Sequence, residues 1–404
     1  MSNFVKSMTN QVLGVWVLLF LTVPAAVPGQ FTYTTNTDNT LTITSYTGPG
    51  GVVNIPTNMN GLTITGLGNG VTPVFGSSLT GVVLPNTVTA IAGATTVGAG
   101  QPTGSPFTGC TSLTNVSILG NAIIGEYAFY ELPLTSVYIY GGVIGEMAFA
   151  FCSQLTTLTL GDGVTDIGGI AFVGDPITSM VFPSSVTNIE GGAFEGCNMT
   201  NVVFSYGVAN IGDLAFNAVP ITRLALPGSI SSIGNQAFFQ CGNLTNVTFG
   251  AGVSSLTAES FADCFNLTNV LFLGNAPAVV GLEDNGPVFI DDTHVTVYYL
   301  PGTTGWSNTF GYDDNGAWPF SGVPTAPWNP LILTSDAKFG FHSNQFGFNI
   351  TSTNNIPIAI EACTNLANPV WTPITNVILT NGSFHFTDQQ WTNYPHRYYG
   401  VGFP

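Results

Sequence analysis

A six-residue pattern, Leu-Thr-x-Val-x-Leu with apolar equivalents in the first, fourth and sixth places, recurs ten times, mostly 21 to 23 residues apart. The copies begin at Leu79, Leu113, Leu134, Leu155, Ile177, Met199, Ile221, Leu244, Leu267 and Val295. All thirty framework positions are apolar or aromatic, and Thr fills the second place every time. A second anchor, Ile-Gly-x-x-Ala-Phe, falls between copies: Ile124 with Phe129, Ile144 with Phe149, Ile167 with Phe172, Ile189 with Phe194, Ile211 with Phe216, Ile233 with Phe238, and Leu256 with Phe261. A period of this length belongs to stacked coils. Ordering a backbone costs roughly 1–2 kcal/mol per residue, more than one coil of about 22 residues can offset alone, so each coil must be covered by its neighbours.

Within a coil, the fourth and sixth places (Val116 and Ile118, Val202 and Phe204, Val247 and Phe249) alternate as a strand with one buried face. Pro85, Pro183, Pro227 and Pro301 follow the sixth place, where a residue without an N–H donor ends the strand. Then come Val-x-x-Ile, a Gly and a short Ala-Phe turn, expected to be helical or 3₁₀. Strands stacked about 4.8 Å apart in a parallel sheet make ten coils a rod of roughly 45–50 Å. The expectation is one continuous sheet with Val116, Leu158, Val202, Val247 and Val270 in a single buried row. Residues 31–60 supply a starter, with extended runs at 40–46 and 51–56 split by Gly48-Pro49-Gly50-Gly51. Spacings of 34 after Leu79 and 28 after Leu267 imply loops bulging from the rod.

The combination Leu-Thr-x-Val-x-Phe/Leu-Pro, Val-x-x-Ile-Gly and Ala-Phe-x-x-Cys resembles the BspA-like, Treponema-type leucine-rich repeat of bacterial surface proteins over residues 62–301. The resemblance implies a right-handed, curved solenoid used in adhesion or recognition. Two features depart from it: the Asn of the commoner leucine-rich repeat is missing, and Leu132, Asp175 and Val219 replace Cys in three coils.

Residues 12–23 form a 12-residue apolar run behind a segment whose only charge is Lys6, and Ala25-Ala26 offers small residues for cleavage. This has the form of a secretory signal peptide over residues 1–29; a spanning anchor needs about 20 apolar residues. The expected location is secreted or on the cell surface, with no membrane insertion once the signal is removed. The formal net charge is −17 with 6% charged residues, and the four strong cations are Lys6, Lys338, Arg223 and Arg397. Nucleic-acid binding needs a basic patch, which this chain lacks.

Five of the six cysteines (Cys110, Cys152, Cys197, Cys241, Cys264) stand three residues after the repeat Phe and stack in one column. Only Cys241 and Cys264 fall in adjacent coils, where a disulfide is geometrically allowed; the alternative is buried thiols acting as small hydrophobes.

Residues 301–330 are dense in aromatics and proline: Trp306, Phe310, Tyr312, Trp318, Phe320 and Trp328. They form a cap and linker over the open end of the solenoid (residues 30–300) or, alternatively, an aromatic platform for sugar rings. Residues 331–404 show short alternating runs separated by Asn354-Asn355 and Asn381-Gly382, the pattern of a small antiparallel β-sandwich. The fold class is therefore a mainly β repeat solenoid followed by that module.

No His-Glu-x-x-His, Gly-x-Ser-x-Gly or phosphate loop occurs. The positions expected on the concave face are mostly Asn, Ser and Thr and lack the titratable groups that acid–base chemistry needs, so no enzyme is expected. Tyr138, Val181, Val203, Arg223 and Leu271 are the side chains on that face able to anchor a partner, which points to a protein partner, with carbohydrate as an alternative and a spacer or envelope role as another. No cofactor is expected. Glu283-Asp284, Asp291-Asp292 and Asp313-Asp314-Asn315-Gly316 offer oxygens to calcium, but no bidentate Glu follows the last at loop spacing, and the preferred reading is solvated loop charge. The Thr column is explained by hydroxyls bonding the backbone at the turn.

Overall fold

A computed structural model describes residues 28–95, 102–280, 286–292, 294–310, 322–343 and 345–404. Residues 1–27 of the expected signal segment, Glu283-Asp284, and 313–316 lie outside the described residues, as do Tyr312, Trp318 and Phe320. The described chain is a parallel β-solenoid followed by two small antiparallel sheets.

Each coil has three sides. The first carries the six-residue motif: Gly51–Asn54, Leu79–Leu84, the first halves of Asn115–Ile124, Ser136–Ile144 and Thr157–Ile167, and the later four-residue strands up to Thr296–Tyr299. The second carries the anchor Ile and runs unbroken from the antiparallel hairpin Phe31–Thr35 and Leu41–Tyr46 to Ala278–Val280. The hairpin closes the N-terminal end, and Gly51–Asn54 already occupies the motif side in register with Leu79–Leu84, one coil before the first recognisable motif.

The motif side is not one sheet. It splits into a ladder ending at Thr157–Ile167, a pair formed by Ser179–Phe182 and Asn201–Phe204, and a ladder starting at Arg223–Leu226. The row Val116, Leu158, Val202, Val247 and Val270 is nevertheless buried throughout. Packing therefore survives where the hydrogen-bond ladder does not. Both breaks precede strands opened by Pro176-Ile177 and Pro220-Ile221, where proline fixes φ; Pro133 stands in the same place before a strand that keeps its partner, so proline alone does not decide.

The third side corrects the expectation of a helical turn. Tyr127, Phe129 and Glu131 donate their N–H groups to Glu146, Ala148 and Ala150 of the next coil at 3.1, 2.7 and 3.0 Å. Between them, Ala128, Tyr130 and Leu132 close turns within their own coil. The pattern repeats through Phe238 and Gln240, which bond Ser260 and Ala262. It requires two left-handed residues per coil, as at Tyr127 (φ 55°) and Glu131 (φ 54°), then Met147 (φ 51°) and Phe151 (φ 60°). A helix would have kept these bonds inside the coil; here they stitch coil to coil.

Inside, the repeat phenylalanines form one aromatic file. Phe107, Phe129, Phe149, Phe172, Phe194, Phe216, Phe238 and Phe261 stack with centroids 4.4 to 5.6 Å apart and near-parallel rings. All are fully buried. Beside the file runs the cysteine column. All six cysteines of the chain are free and buried, and the Sγ atoms of Cys152, Cys197, Cys241 and Cys264 donate to the carbonyls of Phe129, Phe172, Phe216 and Phe238, one coil earlier, at 3.2 to 3.3 Å. The second-place threonines act likewise: Thr114, Thr135, Thr245 and Thr268 donate to the carbonyl of the corresponding Thr one coil back. Their hydroxyls bridge coils rather than closing the local turn.

The tenth copy is one residue short. Val295 closes its turn as Leu267 does, but Thr296 pairs with Asn269, Val297 with Val270 and Tyr299 with Phe272. The strand therefore buries Val297, and Tyr298 faces out of the solenoid, since a one-residue slip exchanges the two faces of a strand. Trp306 and Phe310 pack on Phe272, 5.1 and 5.4 Å between centroids, and close the C-terminal end. Phe310 is buried there and Trp306 is half-buried.

The C-terminal module packs Leu331–Leu333, Gly340–His342, Gln345–Thr351 and Ser383–Asp388 against a second sheet of Ile356–Cys363, Thr372–Leu379 and Tyr398–Gly402. Its core is Phe348, Ile350, Ile356, Ile358, Ile360, Leu379 and Phe386.

Candidate binding surfaces

The motif strands set the geometry of the face expected to bind. Strand alternation turns the fourth and sixth places inward, leaving the third and fifth on the surface. In register across the first ladder stand Ser117, Tyr138 and Thr159, and across the central pair Val181 and Val203. Tyr138 and Val203 are half-buried, Val181 is 45% exposed and Arg223 is exposed. These four side chains share one face, whose other residues are mostly uncharged hydroxyls and amides, with Val83 and Ala225 among them.

Leu271 does not belong with them. It stands on the same face, between Thr248 and Tyr298, yet it is 2% exposed and joins the core of the C-terminal module. The module sits on the last coils of the motif face: Leu271, Leu273 and Tyr298 meet Phe348, Ile356 and Ile358 in one cluster. Tyr298 donates its hydroxyl to the carbonyl of Asn355 at 3.4 Å, and Trp328 donates Nε1 to the carbonyl of Pro357 at 3.0 Å. The sequence assigned Leu271 to an open surface because the solenoid was read as if nothing rested on it.

A second surface was missed. In the two coils between residues 113 and 160, apolar side chains reach solvent around the corner from the motif face: Leu119 and Tyr140 directly after the sixth place, then Ile123 and Val143 directly before or beside the anchor Ile. Ile123 and Val143 are register partners, so the patch spans adjacent coils. The signal was available. Other coils place Pro85, Pro183, Ser205 or Pro227 where Leu119 and Tyr140 stand, and Asn188, Asn210, Ser232 or Ser255 where Ile123 and Val143 stand.

Further along the same side, Asn188, Asn210 and Ser232 line a groove of about 570 Å³, with Ile189, Ile211 and Ile233 also in its wall and Glu190 and Asp213 beside them. Both carboxylates are already engaged between coils: Glu190 accepts the N–H of Gly169 at 3.0 Å and Asp213 that of Asn235 at 2.7 Å. Among the described residues no group of three His, Cys, Asp or Glu side chains is placed to hold a metal ion. Asp292, one of the carboxylates offered to calcium, points inward and is buried.

The description "BspA type Leucine rich repeat region" matches residues 75–190 and 165–278, in six copies. Solved structures similar to this chain include a leucine rich cell surface protein from Faecalibacterium prausnitzii A2-165, 22% identical over 69% of this chain and 89% of that one, with a TM-score of 0.30. Another is a leucine-rich repeat protein from Bacteroides ovatus, 18% identical over 67% and 70%, TM-score 0.39. A third is the leucine rich repeat protein of T. pallidum, 20% identical over 68% and 86%, TM-score 0.27. No curated protein matches the chain. Matched from residue 75 to 278, just over half of its length, the chain belongs to the BspA type leucine-rich repeat family.

Proposed function

We propose that the protein is exported to the cell surface and binds another protein through the motif face of its solenoid, without catalysis. The observation that carries the reading is the clustering of exposed apolar side chains on sparsely charged surface, with Asp166, the register partner of Val143, at its edge. Tyr138 lies on the motif face, and Leu119, Tyr140, Ile123 and Val143 continue from its edge in the same two coils. Contiguous exposed apolar patches mark interaction sites more often than bare surface, and interfaces draw most of their energy from a few aromatic or aliphatic anchors. A spacer would be served by residues such as Ser117 and Thr159, which flank Tyr138, and Asn188, Asn210 and Ser232, which in later coils stand where Ile123 and Val143 do. Membership of a family of leucine-rich repeat surface proteins supports the same direction.

The sparse charge of the face gives the reading a distinctive test. Arg223 is the one strong cation on it, so a partner held there gains little from ion pairs. Capture of a partner by the full chain, followed by titration at low and high salt, should show affinity nearly independent of ionic strength. The double variant Tyr138→Ala, Ile123→Ser should weaken binding by tenfold or more, about 1.4 kcal/mol or above. A collapse of affinity in salt, or an unchanged affinity of the double variant, overturns the placement.

A further inference from the structure

The C-terminal module holds a cleft of its own, about 540 Å³, lined entirely by module residues. At its polar centre is Asp388, 5% exposed. Its Oδ1 accepts the N–H of Gln390 at 2.8 Å, and its Oδ2 accepts the Tyr399 hydroxyl at 2.7 Å and lies 3.0 Å from Nη1 of Arg397. Arg397 lies over the ring of Tyr394, 4.2 Å from its centroid, and its side chain is 12% exposed. The approach to Asp388 is close but poorly angled, and Nη1 is left without a hydrogen-bond partner. A guanidinium carries five donors. Nη1 itself is buried against Asp388, while Arg397 is one of the residues lining the cleft.

We propose that this cleft is a binding site for a neutral glycan. The walls supply what a pyranose ring takes: hydroxyls of Thr364 and Thr372, amides of Gln389 and Gln390, the fork of Arg397, and the ring of Tyr394. Sugar hydroxyls donate and accept, matching a wall of both kinds, while Arg397 and Asp388 cancel in charge. A chain of net charge −17 repels acidic sugars. Next to Gln390, Trp391 packs on Phe341 with centroids 4.6 Å apart, and Phe341 is 65% exposed. This apolar shelf beside the cleft offers a surface to further sugar units of a chain. Tyr394 supplies the stacking ring, and Arg397 donates to sugar oxygens; a concave site of convergent polar groups and an aromatic ring is the usual form of a small-ligand pocket.

The test uses the full chain on an array of neutral gluco-, manno-, galacto- and chito-oligosaccharides, with sialylated and uronic-acid glycans and unrelated peptides as comparison probes, followed by calorimetry on the best neutral hit. Binding to at least one neutral series is expected. Tyr394→Ala should lower the affinity by tenfold or more, as should Arg397→Lys, which keeps the charge beside Asp388 and loses the fork. Should Arg397→Lys lower the melting midpoint steeply, Tyr394→Ala carries the test alone. Val181→Ser, on the solenoid, should leave glycan binding unchanged, which separates failure of this site from failure of the solenoid reading. No neutral glycan bound, binding confined to acidic glycans or to peptides, or wild-type affinity in Tyr394→Ala overturns the proposal.

Discussion

Leu271 and Tyr298 are register partners on adjacent strands of the motif face, and both are buried beneath the C-terminal module. Every earlier coil leaves the equivalent fifth place at least partly open, from Ser117 and Tyr138 to Ala225 and Thr248. The module therefore stands on the solenoid as a second layer. The one-residue shortening of the tenth coil is what points Tyr298 outward into that contact.

Leu271→Ala should consequently behave as a core substitution and lower stability by about 2–4 kcal/mol. Val181→Ala, at the same place in an uncovered coil, should change it by less than about 0.5 kcal/mol. Denaturant midpoints of the two variants check the contrast. Equal, small effects would mean that the module does not rest on Leu271 in solution.

The aromatic file offers a sharper probe of the solenoid itself. Phe194 is fully buried and stacks between Phe172 at 5.2 Å and Phe216 at 5.6 Å, with Phe182 edge-on at 5.3 Å. Phe194→Ala removes contacts in its own coil and at two interfaces, and should cost about 3–5 kcal/mol. Thermal or chemical unfolding measures it, and a midpoint equal to the wild type would falsify the packing described.

What was legible in the sequence follows from periodicity. The apolar framework, the buried row at Val116 and Val247, and the file of Phe129 to Phe261 repeat at fixed spacing, and a side chain that must be inside every coil shows itself by recurrence. The hydrogen-bond pattern does not. Nothing in Ala-Phe-x-x-Cys distinguishes a 3₁₀ turn from the alternating left-handed geometry at Tyr127 and Glu131, because the bonds that decide it run to the next coil. Nor does recurrence show what rests on the surface: Leu271 sits among Thr248 and Ala225 in an ordinary strand, and only the module covers it. The candidate patch at Ile123 and Val143 is legible as a departure from Asn188, Asn210 and Ser232 in later coils, but a departure, unlike a core position, does not recur.

Two carboxylates in the thiol column make stability depend on pH in an unusual sense. Asp175 and Asp292 stand three residues after Phe172 and Phe289, where other coils place Cys, and both are buried with no hydrogen-bond partner for either carboxyl oxygen. Burial pushes Asp175 up to about 9. Burial, together with the charges of Asp263 and Asp291, pushes Asp292 up to about 8. Asp175 faces Cys152 and Cys197, whose thiols burial also raises. Each acid is therefore neutral in the fold, its O–H standing where a thiol S–H donates to a Phe carbonyl. Because the folded value exceeds the unfolded one near 3.9, the contribution is fully present below about pH 4 and is lost as pH rises through 8 to 9. Over that window each group lowers stability by about 1.4 kcal/mol per pH unit. The denaturation midpoint should rise when pH falls from 8 to 5, and Asp175→Asn should flatten the slope. A midpoint that is constant or falls between pH 8 and 5 would show that both carboxylates ionise in the fold.

The left-handed column gives the cleanest single-site comparison. In the second left-handed place of the Ala-Phe turn stand Gly174, Gly196 and Ala218 in successive coils, with φ of 73°, 71° and 58°. All three are exposed, and a Cβ added at Gly196 would meet nothing nearer than 3.9 Å. Space is thus not at issue, and only the backbone preference separates the two residue types. A left-handed conformation costs an L-residue roughly 1–2 kcal/mol where glycine adopts it freely, an advantage partly offset by the greater entropy glycine loses on folding. Ala218→Gly should therefore raise stability by about 0.5–1 kcal/mol, and Gly196→Ala should lower it by a similar amount. Opposite shifts of the two denaturation midpoints support the double left-handed turn. Shifts in the reverse sense would mean that these residues take right-handed helical angles, and the coil-to-coil bonds donated by Gly196 and Ala218 to Asn217 and Phe239 could not then form.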